Sequence, residues 1–167
     1  MAWRRRSNES GAFRSVGSNR TLANTAAACC ERRRLPLRIA HTQKAYNEAS
    51  TELIAALEQV EAALQSQGAW LCGNQLTIAD VRLFPTLIRW EQVYAPLFSC
   101  SAKPLWKFPA LWRWRQRFYA LPGVADTCDG VAWRADYFGA LFPLNPGGLI
   151  PAGPDLRSLI SAPEPLR

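Results

Sequence analysis

An all-α bundle is what the sequence predicts, and three observations carry that reading. Residues 42–68 and 77–90 place apolar side chains at helical spacing, a further helix opens on Pro109, and no segment alternates as a half-buried strand would. A Pro/Gly-rich C-terminal arm completes the architecture. At 167 residues the chain has room for one domain with a real core.

The first helix is predicted from Thr42 onward. Tyr46, Ala49, Leu53, Leu57, Val60 and Leu64 recur at spacings of 3, 4, 4, 3 and 4, one face of a long helix. Glu48, Glu52, Glu58 and Glu61 lie off that stripe, and Gly68 is placed to stop it.

The second helix is predicted by "GNQLTIADVRLFPTL", Gly73 to Leu87. Thr77 suits the N-cap and Asp80 the third helical position, so each side chain can take the other's backbone N–H in a capping box. Both are expected to be structural, although a carboxyl such as Asp80 could also be taken for a catalytic acid. Loss of such a cap costs about 1 kcal/mol. Leu76 and Val81 are spaced as a hydrophobic staple, and Val81, Phe84, Leu87, Ile88 and Trp90 make a broad apolar face that predicts near-complete enclosure. Pro85 then breaks the ladder at the bond to the Val81 carbonyl, a penalty of roughly 3 kcal/mol in an exposed helix.

In "FPALWRWRQRFYALPGV", Pro109 suits the first helical position and Pro122-Gly123 the stop. Leu111, Trp114, Phe118 and Leu121 form the buried stripe, leaving Arg113, Arg115 and Arg117 for the solvated side. Arginine interleaved with tryptophan there could also line a nucleic-acid groove. From Phe142 onward, "FPLNPGGLIPAGPDL" has no periodicity and reads as an extended arm over the surface.

Charge divides the chain. Residues 1–39 hold nine arginines against Glu9 and Glu31, which accounts for the whole net charge of +7. The remainder is balanced, so neither nucleic acid nor a membrane is an expected partner of the folded part. No apolar run reaches the roughly eighteen residues of a span. The head is expected to be disordered; a misplaced start codon would also account for it, and its Arg-rich, acid-poor composition fits a transit peptide as well. Five cysteines (Cys29, Cys30, Cys72, Cys100, Cys128) form no C-x-x-C pair, and His41 is the single histidine, so no zinc set is expected. Such cysteines suit a reducing, cytoplasmic setting, with an organelle as the alternative if the head is a leader. The domain reading is head 1–39, helical domain 40–140 and arm 141–167.

The capped, acid-bearing helix entry followed by a helix ending in "LPGV" resembles the C-terminal helical half of glutathione transferases. "TQKAY", "GNQLTIADVRLFPTLIRW", "VYAPLFSC", "FPALW", "LPGVADT" and the arm "NPGGLIPAGP" are similar, in order and spacing, to the Xi-class branch, the glutathionyl-hydroquinone reductases. The resemblance covers about Ala40 to Leu156. It implies a glutathione transferase C-terminal-like helical bundle that supplies the aromatic co-substrate pocket and a homodimer interface. In such enzymes a thioredoxin-like domain binds glutathione, the co-substrate, and carries a Cys-Pro nucleophile.

No Cys-Pro pair occurs in this sequence and no βαβ pattern precedes the helices. The resemblance therefore implies a chain that holds no cofactor and no catalytic residue of its own, is inactive alone, and lacks its thioredoxin-like partner. A non-catalytic binding or interaction module on the same helical fold is the alternative. Family tyrosines bond the quinol oxygens, and Tyr137 matches one of them; it is the candidate for binding a small aromatic or quinol ligand, although a surface tyrosine would look the same. The family pattern departs at Leu35, Asp136 and Leu141, where a tyrosine and two histidines are expected, so the pocket is incomplete. Cys100 matches a family cysteine, but nothing beside it in sequence would lower its pKa.

Overall fold

The structure, a computed structural model, describes residues 40–140 and 145–161. The Arg-rich head with Cys29, Cys30 and Leu35, as well as Leu141, lies outside the described residues. Among the described residues every regular element is helical, and the single β-bridge joins Trp70 to Gly73 in a tight turn.

Helix α1, Gln43–Gln67, starts at Thr42, whose hydroxyl accepts from the Ala45 N–H, and stops at Gly68, which takes φ 123°. Ala49, Leu53, Leu57, Val60 and Leu64 are buried along it, and Tyr46 packs at their edge with its hydroxyl donating to the Ser99 carbonyl at 2.7 Å. One acid departs from the sequence reading. Glu61 is buried rather than solvated, for a reason that lies in another helix.

Helix α2, Ile78–Ile88, runs through the centre and delivers Leu83, Phe84, Leu87 and Ile88 to the core. Its enclosure is one-sided. Leu76, Ile78 and Val81 are 44%, 67% and 46% exposed, so the expected staple stands at the surface and Val81 is no part of the buried face. This also explains how Pro85 is tolerated. Pro85 and Val81, one turn apart, both lie on the exposed side, so the lost bond falls where water can serve the freed carbonyl.

Beyond Arg89 the helix widens into a π turn, Trp90–Tyr94, in which the Ala95 N–H reaches the Trp90 carbonyl five residues back. A last turn, Ala95–Leu97, leads to a 3₁₀ turn, Leu105–Lys107, and then to α3, Pro109–Tyr119. Leu111, Trp114 and Phe118 of α3 are buried, Phe118 stacking on Phe84 with centroids 4.1 Å apart.

Arg115 overturns the reading of α3 as having a uniformly solvated arginine face. It is fully buried, paired with Glu91 Oε2 at 2.6 Å, donating to the Leu87 carbonyl, and lying 4.2 Å over the Trp112 ring. Sequence spacing placed it outward because the acid that receives it comes from the π turn, where side chains fall out of α-helical phase.

A further helix, α4, Gly130–Ala140, follows a 3₁₀ turn at Ala125–Thr127 and is capped by Asp129, whose carboxylate accepts from the Val131 and Ala132 N–H groups. The arm is not extended throughout. Its described part closes with a short helix, α5, Leu156–Ser161, which buries Leu156 and Ile160 against α3 while Gln116 donates to the Ile160 carbonyl.

Candidate functional site

Tyr137 sits on α4 with its ring half-buried. The π turn presents Tyr94 opposite it. The two hydroxyls are 3.2 Å apart, and the rings meet edge to face with centroids at 5.7 Å. Tyr94 is 2% exposed and stacks on Phe98 at 5.5 Å, so its ring is held from behind while Tyr137 keeps the accessible side. Two phenols in contact form a hydrogen-bonding unit suited to a third hydroxyl, since each oxygen both donates and accepts. Aromatic edges around them suit a flat ring.

Tyr94 was not among the residues singled out from sequence. A tyrosine inside "WEQVYAPLF" reads as core, and only the wide turn brings its hydroxyl to α4. Asp136, next to Tyr137, is exposed.

Thr77 and Asp80 lie elsewhere, at the entry to α2. The reciprocal capping box is present, its carboxylate half taking the Thr77 N–H at 2.9 Å. Asp80 is completely buried and accepts four donors: the Thr77 N–H and hydroxyl at Oδ2, and the Leu71 N–H and Trp114 indole N–H at Oδ1. With both oxygens occupied, the carboxyl is in no position to trade a proton with a substrate.

Cys100 is buried, with its sulfur 3.8 Å from the Phe98 carbonyl. Cys128 is half-buried; burial pushes its thiol up, and a hydrogen bond from Thr127 and the Arg89 charge oppose this only in part. A raised thiol is a poor nucleophile at neutral pH. Among the described residues no cluster of His, Cys, Asp and Glu could hold a metal ion, and no helix is long and apolar enough to cross a membrane.

A groove of about 400 Å³ opens beside the start of α4, lined by Tyr119, Cys128, Asp129, Arg134, Asp155 and Arg157 among others. It is polar, with acids and arginines interleaved, and does not include Tyr94 or Tyr137.

Residues 43–117 match the family described as glutathione S-transferase, C-terminal domain. A glutathionyl-hydroquinone reductase of Sphingobium chlorophenolicum is 37% identical over 115 residues, covering 69% of this chain and 36% of that protein. The structure superposes on a Xi-class glutathione transferase of Natrialba magadii with a TM-score of 0.79 and 28% identity, covering 93% of this chain and 46% of that one. A glutathione-bound transferase homologue, YqjG of Escherichia coli K-12, follows with a TM-score of 0.70 and 29% identity over 94% of this chain and 48% of that one. The chain thus spans a little over a third of the curated relative and just under half of these solved structures. Taken with the capped central helix, the proline within it and the strand-free described bundle, these matches identify the protein as carrying a C-terminal helical domain of the glutathione transferase family, close to the glutathionyl-hydroquinone reductases.

Proposed function

We propose that this chain supplies the aromatic-co-substrate half of a glutathione-dependent reductase acting on glutathionyl-hydroquinones, and that these 167 residues are inactive alone. The observation that carries the reading is the Tyr94–Tyr137 pair, two phenol oxygens 3.2 Å apart with Tyr137 on the accessible side. A hydroquinone hydroxyl can join that pair as donor or acceptor while its ring lies against the tyrosine edges. The name of the curated relative, a glutathionyl-hydroquinone reductase, supports the substrate class, and the glutathione-bound homologue supports glutathione as co-substrate.

The chemistry needs a thiolate held against the glutathionyl sulfur, and proximity is most of the catalysis. Cys100 and Cys128 do not serve, the first being buried and the second held as a thiol. A thioredoxin-like domain is the expected supplier. The exposed Leu76, Ile78 and Val81 around the first turn of α2 support an apolar patch on which such a domain could dock. Association of two copies through the helical domain is part of the same reading.

The test uses the purified chain with p-hydroquinone and with a glutathionyl-hydroquinone plus glutathione. Hydroquinone binding that weakens in Tyr137→Phe, with no turnover, is the expected result. Turnover by the chain alone would overturn its assigned inactivity, and absence of binding would overturn the pocket. If binding persists without turnover after a thioredoxin-like domain is added, the chain is a non-catalytic binding module.

A further inference from the structure

We propose that Gln92 is a positioning residue that sets where Tyr137 stands against Tyr94. The proposal deepens the phenol-site reading and rests on it for its ligand. Gln92 occupies the middle of the π turn, two residues before Tyr94, and is 1% exposed. Both ends of its amide are engaged. The side-chain carbonyl accepts from Arg134 Nη1, and the NH₂ donates to the Pro154 carbonyl at 2.6 Å. Reversing the amide would set NH₂ against guanidinium and oxygen against oxygen, so its orientation is determined by these partners.

Arg134 and Tyr137 are three residues apart on α4, neighbours on one helical face. A pull on Arg134 is therefore a pull on the turn that carries Tyr137. The arm closes the arrangement from outside. Gly153 takes φ 61° where the arm passes Arg134, and a Cβ there would come within 3.2 Å of Arg134 Cδ. Farther back along the arm, Asn145 donates to the Phe138 carbonyl at 2.7 Å and to the Leu149 carbonyl at 3.0 Å. Helix α4 is thus gripped at Arg134 and at Phe138, with Tyr137 between. Gln92 belongs to the same wide turn as Tyr94, so one backbone segment carries one phenol and holds the helix of the other. Glutamine alone offers a neutral acceptor and a donor at that length; glutamate keeps only the acceptor, and alanine keeps neither.

The experiment compares Gln92→Ala and Gln92→Glu in the full chain. It reads the fluorine resonance of Tyr137 in 3-fluorotyrosine-labelled protein, assigned with Tyr137→Phe, and the Kd for p-hydroquinone. In Gln92→Ala the Tyr137 resonance should move toward that of free fluorotyrosine and the Kd should rise about tenfold, the effect of losing one hydrogen bond to a charged group. Gln92→Glu, still able to accept from Arg134, should keep the resonance in place and the Kd within about threefold. Its lost donation to Pro154 should appear as faster proteolysis between Gly147 and Leu149. A folded Gln92→Ala with unchanged resonance and Kd overturns the proposal, as does a Gln92→Glu as perturbed as Gln92→Ala. If Gln92→Ala does not fold, Arg134→Met makes the same cut from a half-buried position, and an unmoved resonance there is equally fatal. Should the wild-type chain take up no hydroquinone, the phenol-site reading falls, while the resonance still decides the role of Gln92.

Discussion

The Glu61 carboxylate accepts the backbone N–H of Leu111 at 2.8 Å, and its other oxygen accepts that of Ala110 at 2.9 Å. An acid from the middle of α1 thus caps the start of α3. The need is local: Phe108, at the N-cap, has no side chain able to accept, and Pro109 has no N–H to offer. A carboxylate placed there also meets the positive end of the helix dipole. Glu61→Ala should therefore destabilise the fold by about 3 kcal/mol, the loss of charged hydrogen bonds with two amides left unpaired. Glu61→Gln keeps one acceptor and, on a longer and less enclosed side chain than Asp80, can turn its NH₂ away from the facing N–H, so it should cost less. Urea unfolding of the two variants tests the order, and equal stabilities would contradict it.

Asp80 is predicted to be the most sensitive polar position in the core. Asparagine in its place turns one acceptor into a donor, which must then face an N–H already present. Asp80→Asn should cost about 3 kcal/mol and disturb Trp114 fluorescence, because the indole N–H loses its carboxylate. Thr77→Ala should cost only about 1 kcal/mol, since the Asp80 bond to the Thr77 backbone survives.

The Arg115–Glu91 pair predicts strong non-additivity. Arg115 is fully buried, and among the described residues its Nε and Nη2 meet no hydrogen-bond partner and neither does Glu91 Oε1, so one short contact joins the pair. Removing either partner alone should cost about 3 kcal/mol, because a desolvated charge is left behind. The double variant Arg115→Met with Glu91→Gln should lose markedly less than the two singles together. A double-mutant cycle by thermal or urea unfolding measures this, and simple additivity would show that the pair is not coupled.

Cys128 gives a pH dependence with a definite sign. Its folded-state pKa is raised above the ordinary 9.0, first by burial. Below pH 9.0 the thiol is protonated in both states, and its contribution to stability is complete. Above that, the unfolded chain releases the proton first, so the contribution is lost as pH rises through the folded value. Alkylation of Cys128 by iodoacetamide at pH 8, followed by peptide mass spectrometry, should be slower in the native chain than in urea. Cys128→Ser should lessen the fall in stability on the alkaline side.

Features of this fold that depend on near neighbours were readable from sequence. Pro109, Leu111, Trp114 and Phe118 announce α3 because one helix sets their relations, and the spacing of Leu53, Leu57, Val60 and Leu64 does the same for α1. Features that depend on a distant partner were not. Glu61 resembles Glu58 in sequence, and only the start of α3 distinguishes them. Arg115 resembles Arg113 until Glu91 is seen opposite. Helix α4 escaped because "GVAWRADYFGA" has no apolar stripe, and α5 because six residues are too few for periodicity to register. Tyr137 was found through family resemblance, whereas Tyr94 was hidden in an apolar run.

The wide turn at Trp90–Tyr94 has a consequence for sequence length. A π turn holds one residue more than the α-helical path it replaces, and each α-helical residue advances about 100° around the axis. Removing a single residue between Trp90 and Tyr94 would take out that extra residue and let ordinary pitch join the flanks in phase. The full count wound as plain α-helix would instead turn the phenol of Tyr94 away from α4. The pairing of the two tyrosines is thus encoded in how this count of residues is wound as much as in its composition.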